Sequence, residues 1–280
     1  MLFKARGHGL DFDTIRIMGI LNITPDSFSD GGMFVENDKA VRHALEMIGQ
    51  GADVVDIGGE STRPGAAKVP AMQEIARVVP VIKAIKAADA NALISVDTYK
   101  SLTAREALNA GADIINDISG GTFEPEIMEI AAESGAGFVI MHINGTPEKM
   151  QENPIYSSLG VIDDIKSFFR ERILSALAAG LKKENLILDP GIGFGKTLRH
   201  NFEIIDRLSE FKEFGLPILV GTSRKSMIGK VLGLEADKRL FGTAASVALC
   251  TAKGADMLRV HDVKEMKETA LMTRAMTSYK

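Results

Sequence analysis

Gly51-Ala52-Asp53-Val54-Val55-Asp56-Ile57 recurs as Gly111-Ala112-Asp113-Ile114-Ile115-Asn116-Asp117 and again as Gly254-Ala255-Asp256-Met257-Leu258-Arg259-Val260. Each glycine follows a stretch of helical period and suits the left-handed position that ends a helix. The apolar pair after it reads as a short strand buried on both faces, as in a parallel sheet. Five residues beyond each glycine stands a polar residue, Asp56, Asn116 or Arg259, placed at the carboxyl end of its strand. Further apolar runs at 15–23, 93–97, 138–142, 186–189 and 218–221 bring the candidate strands to eight. Amphipathic stretches at 38–50, 72–88, 101–110, 125–134, 161–179, 198–214 and 238–253 separate them. Eight β/α alternations fit an α/β fold of the (β/α)8 TIM-barrel type. The runner-up is an open doubly wound sheet, disfavoured because no Gly-x-Gly-x-x-Gly follows the first strand.

Working outward, the chain has 280 residues, with 33 basic and 37 acidic side chains and a formal net charge of −4. Barrels of this kind run to about 250 residues as one domain. A single barrel domain over 1–280 is therefore expected, with 1–14 as an N-terminal extension. Hydrophobic residues at 45% and charged residues at 25% are ordinary soluble usage and exclude a disordered chain. No basic run is dense enough to neutralise many phosphates, so nucleic acid is not an expected partner. One cysteine excludes a disulfide framework. No apolar run approaches the ~18 residues of a membrane span, and Met1-Leu2-Phe3-Lys4-Ala5-Arg6-Gly7-His8 lacks the apolar stretch of a signal peptide. A cytoplasmic enzyme is the expectation.

In a parallel barrel the chemistry collects at the carboxyl ends of the strands. In chain order those ends are Asn22, Asp56, Asp97, Asn116, Met141 with His142, Asp189, Gly221 with Thr222, and Arg259 with His261. Any one polar tip could be a helix cap or a loop hydrogen bond. Polar tips on nearly every strand are more than stability requires. Asp97, Asp189 and Asn116 offer acceptors and an amide, which suit a heterocycle with several N–H donors beside a carbonyl. Lys225, Arg259 and His261 offer cationic donors, which suit phosphate or carboxylate. The Arg259-Val260-His261 stretch contains no acidic residue. Together these groups describe an N–H-rich ring joined to an anionic group.

Three loops stand out. Thr24-Pro25-Asp26-Ser27-Phe28-Ser29-Asp30-Gly31-Gly32 is rich in turn formers and reads as a lid. Gly58-Gly59-Glu60-Ser61-Thr62-Arg63-Pro64-Gly65 carries an arginine between glycines. Gly221-Thr222-Ser223-Arg224-Lys225-Ser226 leads into a helix and reads as an anion site, although it lacks P-loop spacing. Asp189-Pro190-Gly191-Ile192-Gly193-Phe194-Gly195-Lys196 resembles a dinucleotide loop only superficially. Its glycines would let the backbone approach a ligand and leave Phe194 as an aromatic wall. Cys250 lies in an apolar helical stretch and reads as a buried, inert thiol. His43 and His200 read as surface residues, and the five histidines show no metal-ligand spacing. No Gly-x-Ser-x-Gly elbow points to a hydrolase.

The stretch from Ile17-Met18-Gly19-Ile20-Leu21-Asn22 through Gly31-Gly32, and Asp56-Ile57-Gly58-Gly59-Glu60-Ser61-Thr62-Arg63-Pro64-Gly65, resemble the two signatures of the dihydropteroate synthase family of pterin-binding enzymes. Ser95-Val96-Asp97-Thr98, Ile115-Asn116-Asp117, Leu188-Asp189-Pro190-Gly191, the Gly221–Ser226 stretch and Arg259-Val260-His261-Asp262-Val263 extend the resemblance to the C-terminus. His142-Ile143-Asn144-Gly145-Thr146-Pro147 departs mildly from the family pattern, which leaves the role of that loop open.

The resemblance implies a homodimeric (β/α)8 transferase of folate biosynthesis, the sulfonamide target. It implies that 6-hydroxymethyl-7,8-dihydropterin diphosphate and 4-aminobenzoate are joined with loss of diphosphate. Asp97, Asn116, Met141 and Asp189 would then hold the pterin, with Lys225 at its carbonyl side. Arg259, His261 and Thr62 would hold the diphosphate, and Asn22 a bridging Mg2+. Phe28, Pro64 and Phe194 would wall the aminobenzoate ring, and Ser226 would receive its carboxylate. Asp30, Arg63 and Lys225 are the implied catalytic groups, with Asp30 placed to stabilise a developing pterin cation. Two rivals share the barrel. A methyltransferase acting on methyltetrahydrofolate would use Asp97, Asn116 and Asp189 but not Thr62-Arg63-Pro64. A pterin-binding paralogue would bind without turnover.

Overall fold

Ahead of the expected strands, β1 (Leu2–Ala5) and β2 (His8–Asp11) form an antiparallel hairpin. The computed structural model describes residues 1–23, 33–61 and 65–279. The eight expected strands follow: β3 (Arg16–Asn22), β4 (Val54–Gly58), β5 (Ile94–Asp97), β6 (Ile114–Asp117), β7 (Gly137–Met141), β8 (Leu186–Asp189), β9 (Leu219–Val220) and β10 (Met257–Val260). All pair parallel in the order β8-β7-β6-β5-β4-β3-β10-β9. A bridge from Leu188 to Ile218 brings β9 back to β8 and closes the ring. The barrel is borne out, and the open sheet is not.

Helices α1 (Met33–Gly49), α2 (Ala71–Ala88), α3 (Ser101–Ala110), α4 (Glu126–Ser134), α5 (Val161–Ala178), α6 (Leu198–Asp206), α7 (Ser226–Leu232), α8 (Leu240–Ala252) and α9 (Val263–Ser278) surround it. The repeated glycine does what its position required. Gly111 ends α3 at φ 117°, its N–H donating to the carbonyls of Ala107 and Leu108, and Gly51 and Gly254 both sit at φ 99°. The stretch 198–214, expected as one helix, divides. α6 stops at Asp206, and Leu208–Phe214 winds as a 3-10 helix. Leu208 and Phe211 are both fully buried, and their three-residue spacing stacks them on one side of that tighter turn. α1 begins at Met33, ahead of the expected 38.

Alternate strand residues divide between two cores. Ile17, Leu21, Val55, Ile57, Val96 and Ile115 pack among the helices. Met18, Val54, Ile114, Val139, Ile187, Leu219 and Met257 fill the barrel interior together with Phe3, Ala5, Leu10 and Phe12 of the N-terminal segment. The expected extension is thus the floor of the barrel. Gly137 admits it, because a Cβ there would run into the Phe3 ring. Truncating a ring buried like Phe3 costs about 3–5 kcal/mol. With the floor closed, the opposite, carboxyl end is left for a ligand. Among the described residues no helix is long and apolar enough to cross a membrane.

Candidate active site

Register sets the site. Asn22 aligns with Gly58, Gly58 with Asp97, and Asp97 with Asn116, so four strand tips share one level. Met141 aligns with Asp189 on the neighbouring pair. Parallel pairing therefore gathers residues far apart in sequence, as expected of this fold.

Arg259 is not the isolated cation its sequence neighbours suggested. Its Nε donates to Asp56 Oδ2 at 2.6 Å and its Nη2 to Asp97 Oδ2 at 2.6 Å. Asp56 also accepts from Asn116 Nδ2 at 3.0 Å. Among the described residues, Asp56 Oδ1 and Asp97 Oδ1 are buried without a hydrogen-bond partner. Burial pushes the Asp97 carboxyl upward against the pull of Arg259, and the nearby Asp56 charge adds to the rise. Burial works against the Arg259 charge, but Asp56 and Asp97 outweigh it and hold the guanidinium above its ordinary range. Those two bonds use two of the five N–H donors of the guanidinium.

Asp189 ends β8 in the buried interior, and its Oδ1 accepts the Gly191 N–H at 2.7 Å. Burial raises this carboxyl too, against Lys225. Lys225 donates to the Ile192 carbonyl and lies 4.6 Å from the centre of the Phe194 ring. Burial brings Lys225 down to about 8. Ser223 Oγ accepts the His261 backbone N–H at 3.2 Å and lies 2.9 Å from its Nδ1. When the hydroxyl donates to Nδ1, the ring presents Nε2–H as a donor. Ser226 is exposed at the start of α7. Met141, Ile118, Ile143 and Met150 make an apolar cluster against which Tyr99, Phe123 and Phe194 pack.

The loop after β8 is held along its length. The consecutive carbonyls of Ile192, Gly193, Phe194 and Gly195 accept from Lys225, from Gln151 at 2.6 Å, from Lys196 at 3.0 Å and from Tyr156 at 2.8 Å. Gly191 and Gly195 sit at φ 68° and 64°, and a Cβ on either would run into the carbonyl oxygen of His142 or Asn144. This contact answers what the divergent 142–147 loop does. It is the packing surface for the loop that carries Phe194.

Sequence reasoning missed the buried Lys196, whose Nζ lies 2.9 Å from His142 Nδ1 and 3.2 Å from its carbonyl. Burial takes both groups well below their ordinary values. It also missed Lys100, paired with Glu60 and, at 2.6 Å, with Glu74. Glu60 accepts the Val69 N–H at 2.9 Å, so both flanks of 62–64 are tied to α2 and the start of α3. The burial of Cys250 followed from sequence. The thiol is fully buried, and burial pushes it up to about 12. His200 is partly exposed, with its ring against that of Tyr156, 4.8 Å between centres. Phe28, Asp30, Thr62, Arg63 and Pro64 lie outside the described residues.

Away from this end, a shallow depression of about 310 Å³ is lined by Arg6, Lys86, Ala90, Gly111 and Asp113. Its cations are engaged, Arg6 by the carbonyls of Leu108 and Ala112 and Lys86 by Asp113.

A barrel closed at one end, with buried acceptors and cationic donors gathered at the carboxyl ends of its strands, has the arrangement of a barrel enzyme. Residues 18–261 match the family described as pterin binding enzyme. The dihydropteroate synthase of Escherichia coli is 48% identical over 280 residues, covering 100% of this chain and 98% of that one. A crystal structure of the Yersinia pestis dihydropteroate synthase in a sulfonamide drug complex is 46% identical with a TM-score of 0.92, each chain covered completely, 100% and 100%. A Xanthomonas albilineans dihydropteroate synthase with 4-aminobenzoic acid is 39% identical with a TM-score of 0.91, covering 100% of this chain and 99% of that one. The chain belongs to the dihydropteroate synthase family of pterin-binding enzymes.

Proposed function

We propose that the chain joins 6-hydroxymethyl-7,8-dihydropterin diphosphate to 4-aminobenzoate, giving 7,8-dihydropteroate and diphosphate, in a cytoplasmic folate pathway. The observation that carries this is the meeting, at one end of the barrel, of Asp97, Asn116 and Asp189 with Arg259, Lys225 and His261. The acceptors take the 2-amino-4-oxo edge of the pterin, Lys225 its carbonyl side, and Met141 its apolar face. The spare donors of Arg259, with His261 and Thr62, take the diphosphate. Charge uptake by preorganised donors is what makes diphosphate a good leaving group. The arylamine attacks the exocyclic methylene as the diphosphate departs. Phe194, with Phe28 and Pro64, holds its ring in line, Ser226 takes its carboxylate, and Asp30 and Arg63 complete the site.

Asn22 is the position proposed for Mg2+. A Cβ on Gly58 would stand 3.6 Å from Asn22 Oδ1 and 3.7 Å from Asp97 Oδ2, so the amide oxygen lies at the same strand tips as the Asp97 carboxyl. Among the described residues no group of three His, Cys, Asp or Glu side chains forms a cage. A single amide oxygen suits an ion that keeps its waters and takes its remaining oxygens from a diphosphate. Asn22 would hold it, and it would supply positive charge to the leaving group.

A homodimer is supported by apolar side chains on α7, α8 and α9. Leu232, Phe241, Leu249, Met272 and Met276 are 49%, 86%, 47%, 60% and 61% exposed. Sedimentation at micromolar concentration tests it. The activity test is diphosphate release with each substrate alone and with both. Release that requires both supports the assignment, and no release, or release indifferent to 4-aminobenzoate, overturns it.

A further inference from the structure

Asp56 lies beneath the ligand-facing level. It is fully buried, and its register partner on β5 is Ser95, two residues before Asp97. One oxygen, Oδ2, receives both the Asn116 amide and the Arg259 Nε. An ionised carboxylate accepts and cannot donate. Facing it, Asn116 must turn its NH2 toward Asp56, so its carbonyl oxygen is directed elsewhere. The same contact anchors Arg259 through Nε and leaves the far end of its fork to Asp97 and to an anion.

We propose that Asp56 is a positioning residue that sets the sense of the Asn116 amide, making it an acceptor toward the ring, and so sets selectivity for a ring with an exocyclic amino group. This rests on the reading that the pocket takes a pterin. An amide that can rotate recognises an oxygen as readily as an amino group, because its two ends are nearly the same shape with opposite hydrogen-bonding sense. An amide pinned by a carboxylate recognises one of them. Neither Asp97 nor Asp189, while ionised, needs such pinning, because each is an acceptor on both oxygens.

The test compares 6-hydroxymethylpterin with 6-hydroxymethyllumazine, in which oxygen replaces the 2-amino group, by calorimetry on the whole enzyme. The native chain should prefer the pterin. In Asp56→Leu, which fills the space without an acceptor, the Asn116 amide is released, and the preference should shrink about tenfold, the worth of roughly one hydrogen bond to a charged or buried group. Equal losses for both ligands, with the preference unchanged, would show that Asp56 serves only the fold and overturn the proposal. The isosteric variant Asp56→Asn keeps the readout available if Asp56→Leu does not fold. Its one oxygen can still take both the Asn116 amide and the Arg259 Nε, so the preference should stay near native, and its loss counts against the proposal. A native chain with no preference for the pterin would instead overturn the underlying assignment of the pocket, which separates the two failures.

Discussion

Replacing Asp189 with asparagine separates binding from stability, because the two should move in opposite directions. One oxygen of Asp189 accepts the Gly191 N–H at 2.7 Å. That bond helps hold Gly191 at φ 68°, where the chain turns under the His142 carbonyl. An asparagine has one oxygen, and it must stay on Gly191. Its NH2 then faces the ring donors in place of the second carboxylate oxygen. The lost charge-assisted bond is worth about 1.5–3 kcal/mol, a roughly tenfold to 150-fold weaker pterin. Stability behaves otherwise. Burial raises the Asp189 carboxyl above its ordinary value. Its contribution is therefore complete at pH below the unfolded value and is lost as pH rises through the folded one. Asparagine does not titrate and escapes that loss. At neutral pH the variant should melt at or above the native temperature, and the difference should vanish in acid. Calorimetry with 6-hydroxymethylpterin and melting curves at two pH values measure both effects. Unchanged affinity with a lowered melting temperature would refute the reasoning and make Asp189 a residue of the fold.

Arg259→Ala should lose about 3–5 kcal/mol in chemical denaturation, because two buried carboxylates lose their counter-charge; a loss under about 1 kcal/mol would show the pairing to be unimportant. The same variant should weaken free pterin as well as pterin diphosphate, since Arg259 also fixes Asp97, and a loss confined to the diphosphate would contradict that coupling. Pterin affinity should fall in acid well above the usual carboxylate range, as Asp97 and Asp189 take up protons, and fall again in alkali as Lys225, lowered to about 8, gives up its own; a flat calorimetric profile through neutrality would be inconsistent with these groups holding the ring. 4-Aminobenzoate should bind the bare enzyme poorly and bind clearly once diphosphate and Mg2+ are present, because Pro64 of its proposed site stands two residues from Thr62, proposed to hold the diphosphate; tight calorimetric binding to the enzyme alone would refute ordered addition.

The strands were legible because three of them announce themselves with a helix-ending glycine and an apolar pair, and both signals are local. β9, two residues long, was legible mainly as an apolar run. The N-terminal hairpin was not, because Leu2–Ala5 is too short to show a period and its burial depends on a barrel not yet built. In the site, Asp97, Asn116 and Asp189 were named from their place at strand tips. The engagement of Arg259 could not be, since its partners lie 203 and 162 positions away in the chain. Asp56 was marked by the repeat but given no task, because only the closed ring places it beneath Asn116. Lys196 gave no signal, as its acceptors belong largely to the preceding loop.

The loop after β8 bears on which substitutions a lineage can accept. Four donors grip the backbone of residues 192–195, and of these only Lys225 also meets the Phe194 ring, 4.6 Å from its centre. The shape of the strip is thus inherited independently of what it displays. Exchanging the ring at 194 alters the surface offered to an aromatic acid while the strip keeps its course. Gly191 and Gly195 have no such latitude, because any side chain there meets a carbonyl of the neighbouring loop. Variation in this stretch should therefore concentrate at 194, where it tunes ligand preference, and be purged at the glycines on either side.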